Sequence, residues 1–269
     1  MFFLGGGTYI VRTVIFLSIE NTHTQDTKTD FIGTGTTVPQ VPQYLGTHTK
    51  KKGMIDDENS EFYEQCFHRL NHMPWLYDIE KHKKFAKERQ SKWQEKLMAM
   101  ETIEIKGEDT YISDENVHIF AERGRKVVIE KNCRIASGCF IHGPCVLEQN
   151  VGLNQNVHLD GGSGKGIRVG ADTRIGPSTS IFAFNHTFDD SEIPIRLQKV
   201  KSKGVTIGED VWIGANVSIV DGVDIGSHAV VGIGSVVTKN IPGWEIWAGN
   251  PARKIGKRRV NNNRDRLGL

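Results

Sequence analysis

The sequence predicts an all-β fold, a parallel β-helix of about five or more coils, preceded by an α-helical segment. Three observations predict it. Aliphatic residues recur at every sixth position through much of the C-terminal half. Glycine is over-represented, at 29 of 269 residues, about 11% against a usual ~7%. Proline numbers only 8, so the glycines punctuate short strands and do not mark a Pro/Gly-rich low-complexity chain.

Taken in order, residues 1–55 form a poorly defined segment. A mildly apolar start (Tyr9-Ile10-Val11, Val14 to Leu17) is interrupted by Arg12 and lacks a basic leading region. A threonine-rich stretch, Pro39, Pro42 and Lys50-Lys51-Lys52 follow, and no function attaches to them. Residues 56–100 read as helical. Asp56-Asp57-Glu58 open the segment, and Phe62, Cys66, Phe67 and Leu70 fall at helical spacing. Pro74 interrupts, and a second helix over 79–98 gathers Phe85, Ala86, Trp93 and Leu97 on one side. Its many lysines read as a solvated face.

Residues 103–255 are the β-helix. Ile129, Ile135, Ile141, Leu147, Leu153 and Leu159 open consecutive hexads. The series resumes at Val169, Ile175 and Ile181, and again from Ile207 through Ile213, Ile219, Ile225, Val231 and Val237. A period of six fits neither a helix at 3.6 nor an alternating strand at 2. It fits one short strand and one corner per hexad, three hexads to a triangular coil. The fifth place is mostly small or β-branched (Cys133, Cys139, Cys145, Thr173, Val211), and glycine often takes the second. Fifteen hexads give five coils, and residues 103–128 add a cruder capping coil. A basic tail, 256–269, closes the chain.

Composition narrows the function. Lys plus Arg exceeds Asp plus Glu by only 2, which argues against a nucleic-acid-gripping protein. No run of about 20 apolar residues exists, so no membrane span is expected. Four cysteines are no disulfide framework in a chain of this length, and a cytoplasmic protein is the expectation. Cys133, Cys139 and Cys145 recur at six, not at zinc-ligand spacing, and read as core. Gly161-Gly162-Ser163-Gly164-Lys165-Gly166 lacks the spacing and the Ser/Thr of a phosphate loop and reads as a turn.

The run Ile207-Gly208-Glu209-Asp210-Val211-Trp212-Ile213-Gly214-Ala215-Asn216 resembles the hexapeptide-repeat, left-handed β-helix acyltransferases. So do Gly232 to Pro242 and Ala248-Gly249-Asn250-Pro251-Ala252-Arg253. The resemblance is strongest to the maltose/galactoside O-acetyltransferase branch and the related surface-polysaccharide O-acetyltransferases. It implies a left-handed coil, a homotrimer, acetyl-CoA as co-substrate, no metal, and a carbohydrate or other small-molecule acceptor held in a cleft between subunits.

Candidate site residues follow. The longest interruption of the repeat, Phe184 to Gly204, begins beside His186, and loops on rigid scaffolds are where function gathers. In the resembling enzymes a histidine at this place is the general base, and imidazole titrates near working pH. Asp189, Asp190 and Glu192 are open candidates to orient it. The resemblance also implies acceptor contacts at Asn154, Asp160 and Asp78, with an inner ladder as the structural reading of Asn154. It implies coenzyme A contacts at Trp212, Ala215, Ile233, Thr238, Lys239 and Arg253. The expected reaction is acetylation of a sugar or saccharide hydroxyl. The alternatives are an amino-sugar or small-molecule N-acetyltransferase and a non-catalytic scaffold. A zinc enzyme resembling the γ-type carbonic anhydrases would need a close histidine pair, which His186 lacks because position 191 is Ser.

Overall fold

The computed structural model describes residues 61–259. The expectations for residues 1–55, for the helix opening at 56–58 and for 260–269 lie outside the described residues. Helix α1 runs Glu61–His72 and α2 runs Glu80–Met98, joined by a 3-10 turn at Pro74–Asp78. Phe67, Leu70, Tyr77 and Ala86 make a small apolar core with Tyr111 of the first coil. Gln90, almost fully buried, binds the coil like an added backbone unit. Its Nε2 donates to Ile112 O at 2.9 Å, and its Oε1 accepts from Ile112 N at 2.9 Å.

The rest is the parallel β-helix that the hexads predict. Coil 1 comprises strands Ile103–Ile105, Tyr111–Ile112 and His118–Phe120. Coil 2 comprises Val127–Ile129, Arg134–Ile135 and Phe140–His142. Coil 3 comprises Cys145–Leu147, Gly152–Leu153 and His158–Asp160. Coil 4 comprises Ile167–Val169, Arg174–Ile175 and Ser180–Phe182, coil 5 Val205–Ile207, Trp212–Ile213 and Ser218–Ile219, and coil 6 Asp224–Ile225, Val230–Val231 and Val236–Val237. The first strands stack into wall 1, the second into wall 2 and the third into wall 3, every neighbour within these six coils parallel. Glu245–Ala248 extends wall 2, and Arg253–Lys257 returns antiparallel against it. Lys254 and Lys257, read as the start of a tail, thus sit in this closing pair. The capping coil is a full coil, and Val127 and Val128 belong to the coil after it.

The repeat positions explain the geometry. Ile129, Ile135, Ile141, Leu147, Leu159, Ile175 and Ile181 have no exposed surface. Burial of each such side chain contributes about 1.5–3 kcal/mol. The buried threonines of the fifth place are satisfied across the stack. Thr173 Oγ1 donates to Gly208 O at 2.9 Å, and Thr179 Oγ1 donates to Gly214 O at 2.8 Å. The cysteines are inert core: burial pushes the thiols of Cys133, Cys139 and Cys145 up to about 12. The fourth place must turn the corner in the left-handed region. Asn132 (φ 59°), Asn150 (62°), Asn156 (58°), Asp172 (61°) and Asn216 (54°) occupy it, the residue types that tolerate it best after glycine.

Candidate functional site

His186 stands where the stack is broken. Between coils 4 and 5 the chain leaves wall 3 and makes a hairpin, with Asn185–His186 antiparallel to Val200–Lys201. Ser202 Oγ pins its base, donating to Ala183 O at 2.6 Å and accepting from Gly164 N at 2.9 Å. Asp221 caps its return, accepting from Lys203 N and Gly204 N, each at 2.8 Å. The imidazole is exposed, and its one ring contact is the Phe184 edge at 6.2 Å. Among the described residues no carboxylate reaches it. Asp189 Oδ2 accepts from Lys201 Nζ at 3.0 Å, and Asp190 Oδ1 accepts from Glu192 N at 2.9 Å.

The corner between walls 2 and 3 gathers several of the other candidates. Asn154, Gly176, Gly214 and Gly232 stack along it, each backbone N–H bonded to the next coil. Ala215 and Ile233 follow them one residue on, with Gly234 N donating to Ala215 O at 2.9 Å. A side chain at Gly214 would meet Ile233 N at 2.7 Å, so glycine is what lets these coils approach. Ile233 is 57% exposed and Trp212, on wall 2 beside it in sequence, is 58% exposed. Thr238 and Lys239 follow wall 3 of coil 6, at the edge from which the His186 hairpin departs two coils earlier. Arg253 begins the closing strand, exposed. A single chain therefore places His186 and the Ala215–Ile233 column at opposite edges of wall 3.

The acceptor candidates scatter. Asn154 Nδ2 donates to Ile175 O at 3.1 Å, which is the inner-ladder role. Asp78 accepts from Arg134 Nε at 3.0 Å, on wall 2, and lines a polar cleft of about 310 Å³ with Lys83, Asn132 and Arg174. Asp160 ends a wall 3 strand. It accepts from His142 Nδ1 at 2.8 Å, and His142 Nε2 lies 3.1 Å from both Glu122 oxygens. The hydrogen bond from His142 helps hold the Glu122 carboxyl below its usual range, after that from Glu122's own backbone.

One feature of wall 3 went unread in the sequence. His142 belongs to an outer aromatic ladder that climbs to the hairpin. Phe120 stacks on His142 at 4.7 Å and Phe140 stacks on His158 at 4.4 Å. His158 then meets Phe182 at 5.1 Å, and Phe182 meets Phe184 at 6.2 Å. Burial lowers the His158 pKa, with His142 adding to the effect and Asp160 opposing it. The signal was present: aromatic residues flank Ile119, Ile141, Leu159 and Ile181 on the side away from the core.

Comparison with known proteins places this architecture. Residues 204–239 match the family described as bacterial transferase hexapeptide (six repeats), so the chain carries the repeat its periodicity predicts. Galactoside O-acetyltransferase of Escherichia coli is 37% identical over 103 residues, 37% of this chain and 47% of that protein. Chloramphenicol acetyltransferase of Klebsiella aerogenes is 40% identical over 80 residues, 29% of this chain and 38% of that protein. Among solved structures, AntD, an N-acyltransferase from Bacillus cereus in complex with dTDP and 3-hydroxybutyryl-CoA, superposes with a TM-score of 0.54 at 28% identity. The match covers 62% of this chain and 88% of that one. Matches to curated relatives span from 32% to 63% of those proteins' lengths. Among the described residues no helix is long and apolar enough to cross a membrane.

Proposed function

We propose that the protein is an acetyl-CoA-dependent O-acetyltransferase acting on a sugar or saccharide hydroxyl, with His186 as general base. The observation that carries this reading is His186 itself, an exposed imidazole on the segment that leaves the stack. In the reaction, an imidazole nitrogen accepts the hydroxyl proton as the oxygen attacks the acetyl carbonyl carbon. The carbon–sulfur bond then breaks, and the coenzyme A sulfur leaves with the proton that the imidazolium returns. Holding the two substrates together supplies much of the rate.

Coenzyme A fits the corner between walls 2 and 3. Exposed backbone at Ala215 and Ile233 suits the pantetheine amides, Trp212 offers a flat apolar face, and Lys239 and Arg253 suit the phosphates. The separation of that corner from His186 across wall 3 supports a cleft formed by two subunits of a homotrimer. The hairpin supports it too, since Phe188, Ile195 and Leu197 are 73%, 55% and 61% exposed on one chain. A cytoplasmic setting supplies acetyl-CoA. Asp160, steadied by His142, is the acceptor-contact candidate on the same wall as His186. Similarity to AntD favours a second reading, transfer to an amino-sugar nitrogen.

The test is acetyl-CoA turnover, read as free thiol, for wild type and His186→Ala against sugars, glycosides, nucleotide sugars and amino sugars. The expected result is a sugar-dependent rate that falls by about 10² or more in the variant. A rate with amino sugars alone selects the nitrogen reading. No turnover with any acceptor, together with no coenzyme A binding, overturns both and leaves a scaffold.

A further inference from the structure

Three ligand-type side chains outside the acyl-transfer machinery converge where α1 meets coil 1. His68 and His72 lie one helical turn apart, so both imidazoles stand on one face of α1, with ring centroids 4.4 Å apart. Glu115 comes from the corner between walls 2 and 3 of coil 1. Its Oε2 lies 3.7 Å from His68 Nδ1 and 3.9 Å from His72 Nδ1. One ligating atom from each residue falls within 4.8 Å of the other two. A tetrahedral zinc ion with bonds near 2.0–2.1 Å separates its ligand atoms by roughly 3.3–3.4 Å. The histidine–glutamate pairs are thus within about half an ångström of that geometry.

The carboxylate is held rather than loose. Asn71, 4% exposed, donates through Nδ2 to Glu115 Oε2 at 3.4 Å and to Asp114 Oδ1 at 3.2 Å. Asn71 Oδ1 in turn accepts from the buried Tyr111 hydroxyl at 2.7 Å. A buried amide anchored to the core is the kind of outer partner that orients a metal ligand. On the other side, His72 Nδ1 lies 3.0 Å from His68 O. That bond fixes Nδ1 as the donor and leaves the lone pair on Nε2. The adjoining cleft, about 300 Å³, is lined by Glu64, Asp114 and Glu115 against Arg89, an acidic surplus that favours a cation.

We propose that His68, His72 and Glu115 bind one divalent cation of the zinc type, with water completing the coordination on the exposed side. Two imidazoles and one carboxylate suit a borderline ion better than the hard, all-oxygen chemistry of calcium or magnesium. The ion clamps α1 onto coil 1. The residues between the histidines, Arg69, Leu70 and Asn71, provide no general base, and the His186 hairpin leaves a different corner three coils away. The site is structural, and it stands apart from the acyl-transfer reading.

The experiment titrates the full chain with Zn²⁺ and with Co²⁺, following heat, cobalt absorption and melting temperature. One ion per chain is expected, with micromolar affinity, tetrahedral cobalt bands, a melting temperature raised by zinc, and affinity that falls in acid as protons compete for imidazole. His68→Ala, His72→Ala and Glu115→Gln should each weaken binding by at least about tenfold, since even outer-shell losses reach that size. His68 is 68% exposed, so its alanine variant folds regardless and keeps the test valid if His72→Ala does not. Unchanged affinity and stoichiometry in His68→Ala, or no binding below millimolar zinc, overturns the proposal.

Discussion

The interior of the coils and the hairpin at 183–204 obey opposite rules. Inside, each aliphatic side chain is sealed between the coil below and the coil above, and Ile175 and Ile181 have no exposed surface. Their strands are bonded on both edges. In the hairpin two residues pair with two, and almost every side chain from Asn185 to Lys203 faces solvent. Stability is thus stored in the stack, while the segment offered to substrates or partners has little of its own to lose. A regular prism presents flat walls, and chemistry needs a place where the regularity stops.

Paired truncations sharpen this contrast and give the largest expected effect on stability. Ile181→Ala should cost about 2–5 kcal/mol by denaturant unfolding, because it leaves a cavity that stacked strands cannot close. Leu197→Ala, at 61% exposure, should stay within about 0.5 kcal/mol. If Leu197→Ala matched Ile181→Ala at a concentration where the chain is oligomeric, the hairpin would be core to the assembly and the contrast would fail.

A glycine at the corner between walls 2 and 3 carries the next effect. A Cβ at Gly176 would sit 2.6 Å from Ala215 N and from Gly214 C. Backbone is not the yielding end of a flexible side chain, so coil 4 must move away from coil 5. Gly176→Ala should cost about 1–3 kcal/mol, the usual penalty of overpacking. Coenzyme A affinity should fall with it, because Ala215 shifts. Loss of stability with coenzyme A affinity intact would separate this corner from the binding site.

The inner columns were legible because the stack imposes a period: each hexad must put one aliphatic residue inside. Coil 1 was under-read because Ile105, Ile112 and Ile119 step by seven rather than six, yet its strands pair in register with coil 2. The outer ladder of wall 3 was harder. Its neighbours across coils are separated by 22 residues from Phe120 to His142, 18 from His142 to Asp160 and 22 from Asp160 to Phe182. Corner insertions change the interval from coil to coil, and no fixed period reveals it. His186 was legible as an interruption. The partners of Asp160 and Asp78 were not, since His142 and Arg134 reach them only through the coiling. Asn154 was left between a sugar contact and a ladder, and its amide serves the ladder.

The smallest effect tests whether a corner outside the core adds anything. Asp210 turns the corner between walls 1 and 2 of coil 5 at φ 49°. Its carboxylate lies 3.0 Å from His228 Nδ1 and 2.8 Å from Arg258 Nη1. Burial alone would raise its pKa, but the bonds from His228 and Arg258 outweigh it and leave the value lowered. A carboxyl lowered on folding stabilises above its unfolded pKa of about 3.9. That contribution fades as pH falls through the folded value. With Arg258 38% and Asp210 46% exposed, the contribution is below about 1 kcal/mol. Asp210→Asn keeps the left-handed turn, which asparagine also tolerates, and removes only the charge. Its unfolding free energy should fall slightly below wild type at pH 7 and meet it near pH 3. A gap that stayed constant across that range would assign the loss to the turn rather than to the charges.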